Sequence, residues 1–574
     1  MADLSVNPAR RTRLFHLRGE HLLLGGLAVY VLLIALWPLA RLLVEAFRPG
    51  ADGAFLGIIQ ETLKSQAVNR ALMNTLVASS LATLVSLLLG TSLGLVFKLT
   101  DLPGRGGLAF LAILPVLIPP QVIALAWIEL TASIGPALST LGLTASGGRG
   151  NVIYSMGGIV WVMGIEQMPI VLLAVAAGLA ALPGDLIEAA RVVGARGPRI
   201  VLSVVLPAIM PSVLAGAMLA FVSAIGNFGV PALLGVPSRL PLLTTLIYQR
   251  LNGFGPSILG EVAAISLLLV GLAGAALVLH GLLRKRAHLE RAGTPIVPFE
   301  LGRWRSSIAG AVCALLVLIS VLPLLALAAG ALVPALGMSL SLDTVSLTNF
   351  RKLLAANAAV RRAFFNSSVL AASAALISLF VAIPLSYLAV ARRNTLARVL
   401  DAVIHAPYAV PGTVLSIGVI VVFLPPLPLI GVSIYNSLAI LLVAYLARFL
   451  LLAQRPVSAA IATLDPALDE AGSTVGASAM RRMAEIVTPA TLPAALAGAL
   501  LIFMMAFNEL TVSALLWSTG NETLGVMVFQ LQYEGNSPAA AALATLIVAI
   551  TLSLAGVLGA IGERWSPGAV PWRI

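Results

Sequence analysis

The chain has 574 residues, of which 59% are hydrophobic and 10% charged, and its net charge is +12. Charged residues make up about a quarter of an ordinary soluble domain, so the composition excludes a cytosolic globular protein and, by its apolar excess, a disordered one. Spans of about 20 apolar residues fit roughly twelve times, which predicts an all-α polytopic membrane protein.

In chain order, a cytoplasmic tail over 1–21 precedes apolar runs near Leu22–Leu43, Leu72–Phe97, Leu108–Ile134, Ile153–Ala177, Ala208–Ile225 and Val262–Leu283. A basic linker over 284–305 leads to a second set near Ile308–Leu332, Phe364–Ala391, Leu400–Leu424, Leu438–Leu452, Ala490–Phe507 and Ala539–Ile561, followed by a tail over 562–574. The expected division is therefore a first half over 22–283 and a second over 306–561. The first run is too long for a signal-peptide core and lacks a small-residue cleavage site, so it is expected to remain as a span. Arg10, Arg11, Arg13 and Arg18 before it place the N-terminus in the cytoplasm if positive loops stay inside. Alternation then puts Arg284, Lys285, Arg286, Arg392, Arg393, Arg481 and Arg482 on the same side and the C-terminus with them. Orientation thus accounts for the positive charge, and nucleic acid is not an expected partner. The lone Cys313 allows no disulfide within the chain, and the five scattered histidines predict no metal site.

A fixed offset runs through the sequence. Asn74 matches Asn366, and Pro115 and Pro119 match Pro407 and Pro411, each 292 residues on; Glu188, Gly194, Pro207, Pro211 and Gly216 match Glu470, Gly476, Pro489, Pro493 and Gly498 at 282. Two homologous six-helix halves are predicted. Six being even, both insert in the same orientation, as a parallel repeat about an axis along the membrane normal.

The loop between the fourth and fifth spans carries the most specific signal. Its first copy is Glu188-Ala189-Ala190 with Gly194, and its second is Glu470-Ala471-Gly472 with Gly476. Proline and acidic residues before each glutamate suit a helix start and the later glycine suits its end, so a short surface helix is expected in each half. Small residues on it admit a close backbone and the glutamate can face a basic partner. An ordinary capped surface helix is the plain alternative; two copies in register favour docking.

These loops resemble the EAA motif of type I ABC importer permeases. The resemblance covers both halves and is most like the ferric-iron branch of fused double permeases, with thiamine and aminoethylphosphonate branches near it; the segment Phe507 to Trp517 followed by Thr523-Leu524-Gly525 carries the iron likeness. It implies a permease subunit in a bacterial cytoplasmic (inner) membrane, working by alternating access on substrate delivered by an extracytoplasmic binding protein. It also implies that Glu188, Ala189, Ala190, Gly194, Glu470, Ala471, Gly472 and Gly476 couple to cytoplasmic ATPase subunits, two copies of them. ATP and Mg would be bound by those partners, and no cofactor by this chain; no lysine follows glycine in a P-loop pattern. Gly472 departs from the motif, which has alanine there.

Inside the membrane, Glu166 and Arg448 are repeat-equivalent residues of opposite charge, and pairing between them is one expectation; separate snorkelling is the other. Pro119 and Pro411 break the third span of each half, and together with Asn227 and Glu509 they are read as pathway residues, although kinks serving packing are a common alternative. Glu509, Glu522 and Glu534 make an outer loop free of Lys and Arg, which suits a hard cation, or simply solvent. Asp101-Leu-Pro-Gly104-Arg105 is a faint sign of a secondary transporter, without a second copy. Thiamine, aminoethylphosphonate or polyamine are the alternative cargoes, and no constellation of residues points to an enzyme.

Overall fold

The structure is a computed structural model. It describes residues 8–50, 53–135, 151–254, 258–284, 297–335, 338, 340–427 and 431–565; most of the expected linker (285–296) and the end of the expected C-terminal tail (566–574) lie outside the described residues. Among the described residues there is no strand, only an isolated bridge between Thr100 and Phe299.

Among the described residues, ten helices are long and apolar enough to cross a membrane. They are α1 (Gly19–Ala46), α2 (Gln66–Leu99), α5 (Met156–Ala180), α7 (Gly197–Ile225), α9 (Leu259–Leu282), α10 (Gly302–Ala331), α11 (Ala358–Ala391), α14 (Leu438–Thr463), α16 (Ala479–Phe507) and α18 (Ser537–Val557). Two bent pairs complete the expected twelve: α3 (Arg105–Leu117) with α4 (Pro120–Ser133), and α12 (Thr395–Ala409) with α13 (Gly412–Phe423). Shorter helices include α6 (Gly184–Val192), α8 (Leu243–Phe254), α15 (Pro466–Thr474) and α17 (Leu524–Tyr533).

The third run of each half is broken at the proline read there: its two helices meet at 107° in the first half and 110° in the second. Ile118 and Val410, each preceding a proline, are extended (ψ 134° and 139°), as steric conflict with the proline ring requires, so each helix ends there and restarts beyond the proline. One expectation is corrected in detail: the fifth run of each half begins about three turns before its expected start, at Gly197 and Ala479, because Arg199, Arg481 and Arg482 are helical although polar. An apolar window stops at a charge; a hydrogen-bonded backbone does not.

The chain forms two compact units that interleave its halves. Of the described residues, one comprises those within 8–45 and 362–524 with 564–565; the other comprises those within 46–361 and 525–563. Each half thus gives its first span to the unit built around the other half's third to fifth spans. In the first unit a Cβ on Gly418 of α13 would meet the Pro38 carbonyl oxygen of α1 at 2.6 Å, so α1 lies directly on α13. In the second, α10 lies on α4, with Glu129 over Gly330.

Within the second unit, α2 and α5 pack through absent side chains. A Cβ on Gly90 would meet the Met168 carbonyl oxygen at 2.8 Å, and one on Gly164 would meet Val85 Cγ1 at 2.6 Å. Ser86 Oγ donates to the Gly164 carbonyl at 2.8 Å across the same seam. Since lipid is as apolar as leucine, such close backbone approach and interhelical hydrogen bonding hold helices together where hydrophobic burial cannot.

Candidate functional site: coupling helices and intramembrane clusters

Both expected surface helices form, as α6 and α15. Pro183 precedes α6, and Pro466 opens α15, where Asp465 accepts a hydrogen bond from the Ala467 N–H at 2.9 Å. Both helices end alike. Gly194 and Gly476 have φ of +81° and +77°, and the following N–H groups return to the helix: Ala195 donates to Ala190 O at 3.0 Å and Ala477 to Gly472 O at 3.1 Å. This glycine cap needs the left-handed region, which explains the spacing seen in the sequence. Glu188, Ala189, Glu470 and Ala471 are exposed, as are Leu186, Leu468, Val193 (81% exposed) and Val475 (83%). Each helix therefore presents one glutamate, one small residue and two aliphatic side chains outward at equivalent positions.

What lies beneath differs. Under α6, Ile187 and Ile200 belong to an apolar core with Leu182, Val205 and Ile209, against which Leu95 and Ala190 pack. Under α15, the equivalent positions are Asp469 and Arg482. Arg482 Nε is 3.0 Å from Asp469 Oδ1, its Nη1 donates to Ala477 O at 2.9 Å, and Tyr387 donates to Asp469 Oδ1 at 2.9 Å. In the sequence Arg482 marks only a membrane face, and Asp469 and Tyr387 carry no assigned role. Their signal was available as polar substitutions at repeat positions whose first-half counterparts are apolar.

The intramembrane residues also fall at equivalent places. In the second unit Glu166 accepts hydrogen bonds from Asn227 Nδ2 at 2.6 Å and Gln167 Nε2 at 3.1 Å. Asn227 Oδ1 in turn accepts from the Val230 N–H at 3.1 Å, capping the turn after α7. In the first unit Glu509, at the position of Asn227, caps the turn after α16 by accepting from the N–H groups of Val512 and Ser513 at 2.9 and 3.0 Å. Arg448, at the position of Glu166, lies within electrostatic reach of Glu509, and its Nη1 is buried without a hydrogen-bond partner among the described residues. The two residues read as a mutual pair thus each have a neighbour of complementary polarity within their own unit.

The helix restarts reach the same turns. A Cβ on Gly229 would meet Gln121 N at 2.8 Å, just after Pro119, and one on Gly412, just after Pro411, would meet Thr511 Cγ2 at 2.9 Å. Pro119 with Asn227, and Pro411 with Glu509, are thereby brought together within their units. Of the acidic outer-loop residues, two are engaged: Glu509 as a cap, and Glu522 by Arg362 at 3.3 Å and the Gly520 N–H at 2.9 Å. That leaves the expected cation-suited loop without those two free carboxylates, and among the described residues no cluster of three or more His, Cys, Asp or Glu could hold a metal.

Asn74 and Asn366, found by the repeat, hook the chain before α8 and α17. Asn74 Nδ2 donates to Pro241 O at 2.9 Å and Asn366 Nδ2 to Glu522 O at 3.0 Å. The neighbouring Thr75 and Ser367 accept the N–H groups of Leu243 and Leu524, both at 2.9 Å.

The family described as "binding-protein-dependent transport system inner membrane component" matches this chain twice, over residues 86–288 and 374–567. The chain belongs to this family. It is an ABC importer permease of the fused, two-half kind, helical and multi-pass, and both α6 and α15 lie inside the matched segments. The permease is 28% identical over 547 residues to the probable ABC transporter permease protein y4fN of Sinorhizobium fredii, covering 93% of this chain and 94% of that one. It is 26% identical over 186 residues to the Fe(3+)-transport system permease protein FbpB 2 of Haemophilus influenzae (32% of this chain, 36% of that one). It is 30% identical over 271 residues to the probable molybdenum ABC transporter permease protein of Haloferax volcanii (46% and 90%).

Proposed function

We propose that the permease imports ferric iron across a bacterial cytoplasmic membrane, taking it from an extracytoplasmic binding protein and driven by two copies of a separate ATPase. The observation that carries the coupling part is the matched pair α6 and α15: the same outward Glu, Ala, Leu and Val and the same glycine cap, in two copies. An exposed aliphatic pair beside a carboxylate suits a groove with an apolar floor and a basic rim. Two such knobs, one per half, suit two identical partners that approach and separate with their nucleotide state. The glycine cap that ends each knob passes that movement into α5 and α7 in one unit and into α14 and α16 in the other, as alternating access requires. ATP and Mg then belong to the partner, and both termini and both coupling helices face the cytoplasm.

Iron is favoured over other cargo by chain architecture. The matched 186 residues are about a third of the iron relative, which makes that relative a chain of double-permease length like this one. The molybdenum relative, nine-tenths covered by 271 residues, has the length of a single half. Selection of the cargo is assigned in this reading to the binding protein, and the permease offers a transient path.

The test of cargo is ATP-dependent uptake into vesicles holding the permease, the ATPase encoded beside it and its binding protein, with radiolabelled ferric iron, molybdate and 2-aminoethylphosphonate in parallel. Iron uptake supports the proposal. Uptake of either anion with no iron transport overturns the cargo and leaves the importer.

A further inference from the structure

The two coupling helices share an outer surface and differ underneath. In the first half, Leu95, Ile187 and Ile200 meet in an apolar core, with Ile187 and Ile200 both 1% exposed. Their repeat counterparts are Tyr387, Asp469 and Arg482, all three exchanged for polar groups that bond to one another. A fourth exchange completes the set. Where the first half has Ala190, the second has Gly472, and a Cβ there would meet Arg482 Cδ at 2.9 Å, Ile486 Cδ1 at 3.0 Å and Arg482 Cγ at 3.1 Å. The departure of Gly472 from the motif is therefore explained: alanine would collide with the buried arginine stem.

The arginine is placed to hold the helix at two points. Its Nε meets Asp469 in the middle of α15, and its Nη1 donates to Ala477 O, beyond the capping glycine. Arg482 itself belongs to α16, the span that follows, and Tyr387, in α11, ties Asp469 to a second span. A planar fork with fixed donor directions sets orientation as well as distance, which packed isoleucines do not. The arginine side chain is only 6% exposed, so it is poorly screened and loses much if its carboxylate partner is removed.

We infer that Arg482 is a positioning residue that fixes the second coupling helix by charge, whereas the first is fixed by packing. The two knobs are fixed by different means: α15 by directional bonds to α16 and α11, and α6 by apolar packing alone. The consequence for transport rests on the coupling role proposed above; the positioning itself does not.

The experiment therefore reads positioning in the permease alone. Amide hydrogen exchange is followed over 466–477 and 184–195 in the purified full-length chain, for wild type, Arg482→Met, Arg482→Lys and the transplant Tyr387→Leu/Asp469→Ile/Gly472→Ala/Arg482→Ile. Loss of the buried ion pair should speed exchange over 466–477 by about tenfold in Arg482→Met and by less in Arg482→Lys, with 184–195 unchanged. The transplant, which restores the first half's chemistry, should return exchange over 466–477 close to wild type. Unchanged exchange in both single variants overturns the inference, as does a transplant as loose as Arg482→Met. Should Arg482→Met not fold, Arg482→Lys against the transplant decides the matter by the same comparison. In the reconstituted transporter, ATP hydrolysed per substrate imported should rise in Arg482→Lys and recover in the transplant. Altered exchange with an unaltered ratio would keep the positioning and reject the coupling role.

Discussion

Asn227 donates a 2.6 Å hydrogen bond to Glu166 across 61 residues of sequence, and the same two positions of the repeat hold Glu509 and Arg448. The first half joins an acid to a neutral amide there, whereas the second half places two opposite charges at the same positions, with no hydrogen bond between them among the described residues. In both units the second member also caps the turn beside a proline-broken helix, so the position does two jobs: it ends a span and answers a buried charge. Removing the amide should expose that dependence. Asn227→Ala strips a donor from a buried carboxylate and should cost about 1–2 kcal/mol, seen as a drop of several degrees in thermal unfolding in detergent. Asn227→Gln, which keeps a donor, should lose less.

The seam between α2 and α5 sets a sharper expectation. Gly164→Leu places a branched side chain where Val85 already lies within 2.6 Å of an added Cβ. Overpacking of this degree should cost at least about 3 kcal/mol, and folded yield on size-exclusion chromatography should collapse. Gly274→Leu, where an added Cβ meets nothing within 4 Å, should leave the yield unchanged and serves as the control.

Acid should loosen one outer anchor. Burial by itself would raise the Glu522 carboxyl, but the Gly520 N–H and Arg362 outweigh it and hold the group below its ordinary value. A carboxyl whose folded pKa is depressed contributes stability that is present above its unfolded pKa and is lost as pH falls through the folded one. Wild type should therefore lose thermal stability more steeply than Glu522→Gln below about pH 4.5, and the two should run parallel above about pH 6. Melting curves across that range check it, with parallel curves throughout as the contrary result.

Docking should depend on the exposed aliphatics. Val193→Asp with Val475→Asp alters two side chains more than 80% exposed, so folding should be unaffected while co-purification of the partner ATPase falls by about tenfold or more. Retention of the ATPase at wild-type level would remove these residues from the interface.

Much of this was legible in the sequence because its determinants are local. Proline at 119 and 411 marks the break in each third span, although Pro169, Pro211, Pro384, Pro456 and Pro493 sit inside continuous helices, and glycine six residues after Glu188 and Glu470 suits the same left-handed cap twice. The bend angles of 107° and 110° were not legible, since local sterics say that a helix ends and only packing says where the next one points. The exchange of first spans between units was hidden for the same reason: an apolar run carries no record of which neighbour covers it. Arg482 looked like an ordinary basic residue marking a membrane face. Its burial depends on Gly472, ten residues earlier, whose departure from the motif shows without its reason, and on Tyr387, 95 residues earlier, which carries no signal of its own.

The central claim is that this chain moves its substrate only when its two coupling helices engage an ATPase. The most direct measurement is ATP-dependent uptake by vesicles containing the permease, its ATPase and its binding protein, comparing wild type with Glu188→Lys/Glu470→Lys. Uptake that requires ATP and is lost in the double variant, with the folded permease still present in the membrane, is the predicted result. Uptake that proceeds without the ATPase, or that survives charge reversal on both helices, would contradict it.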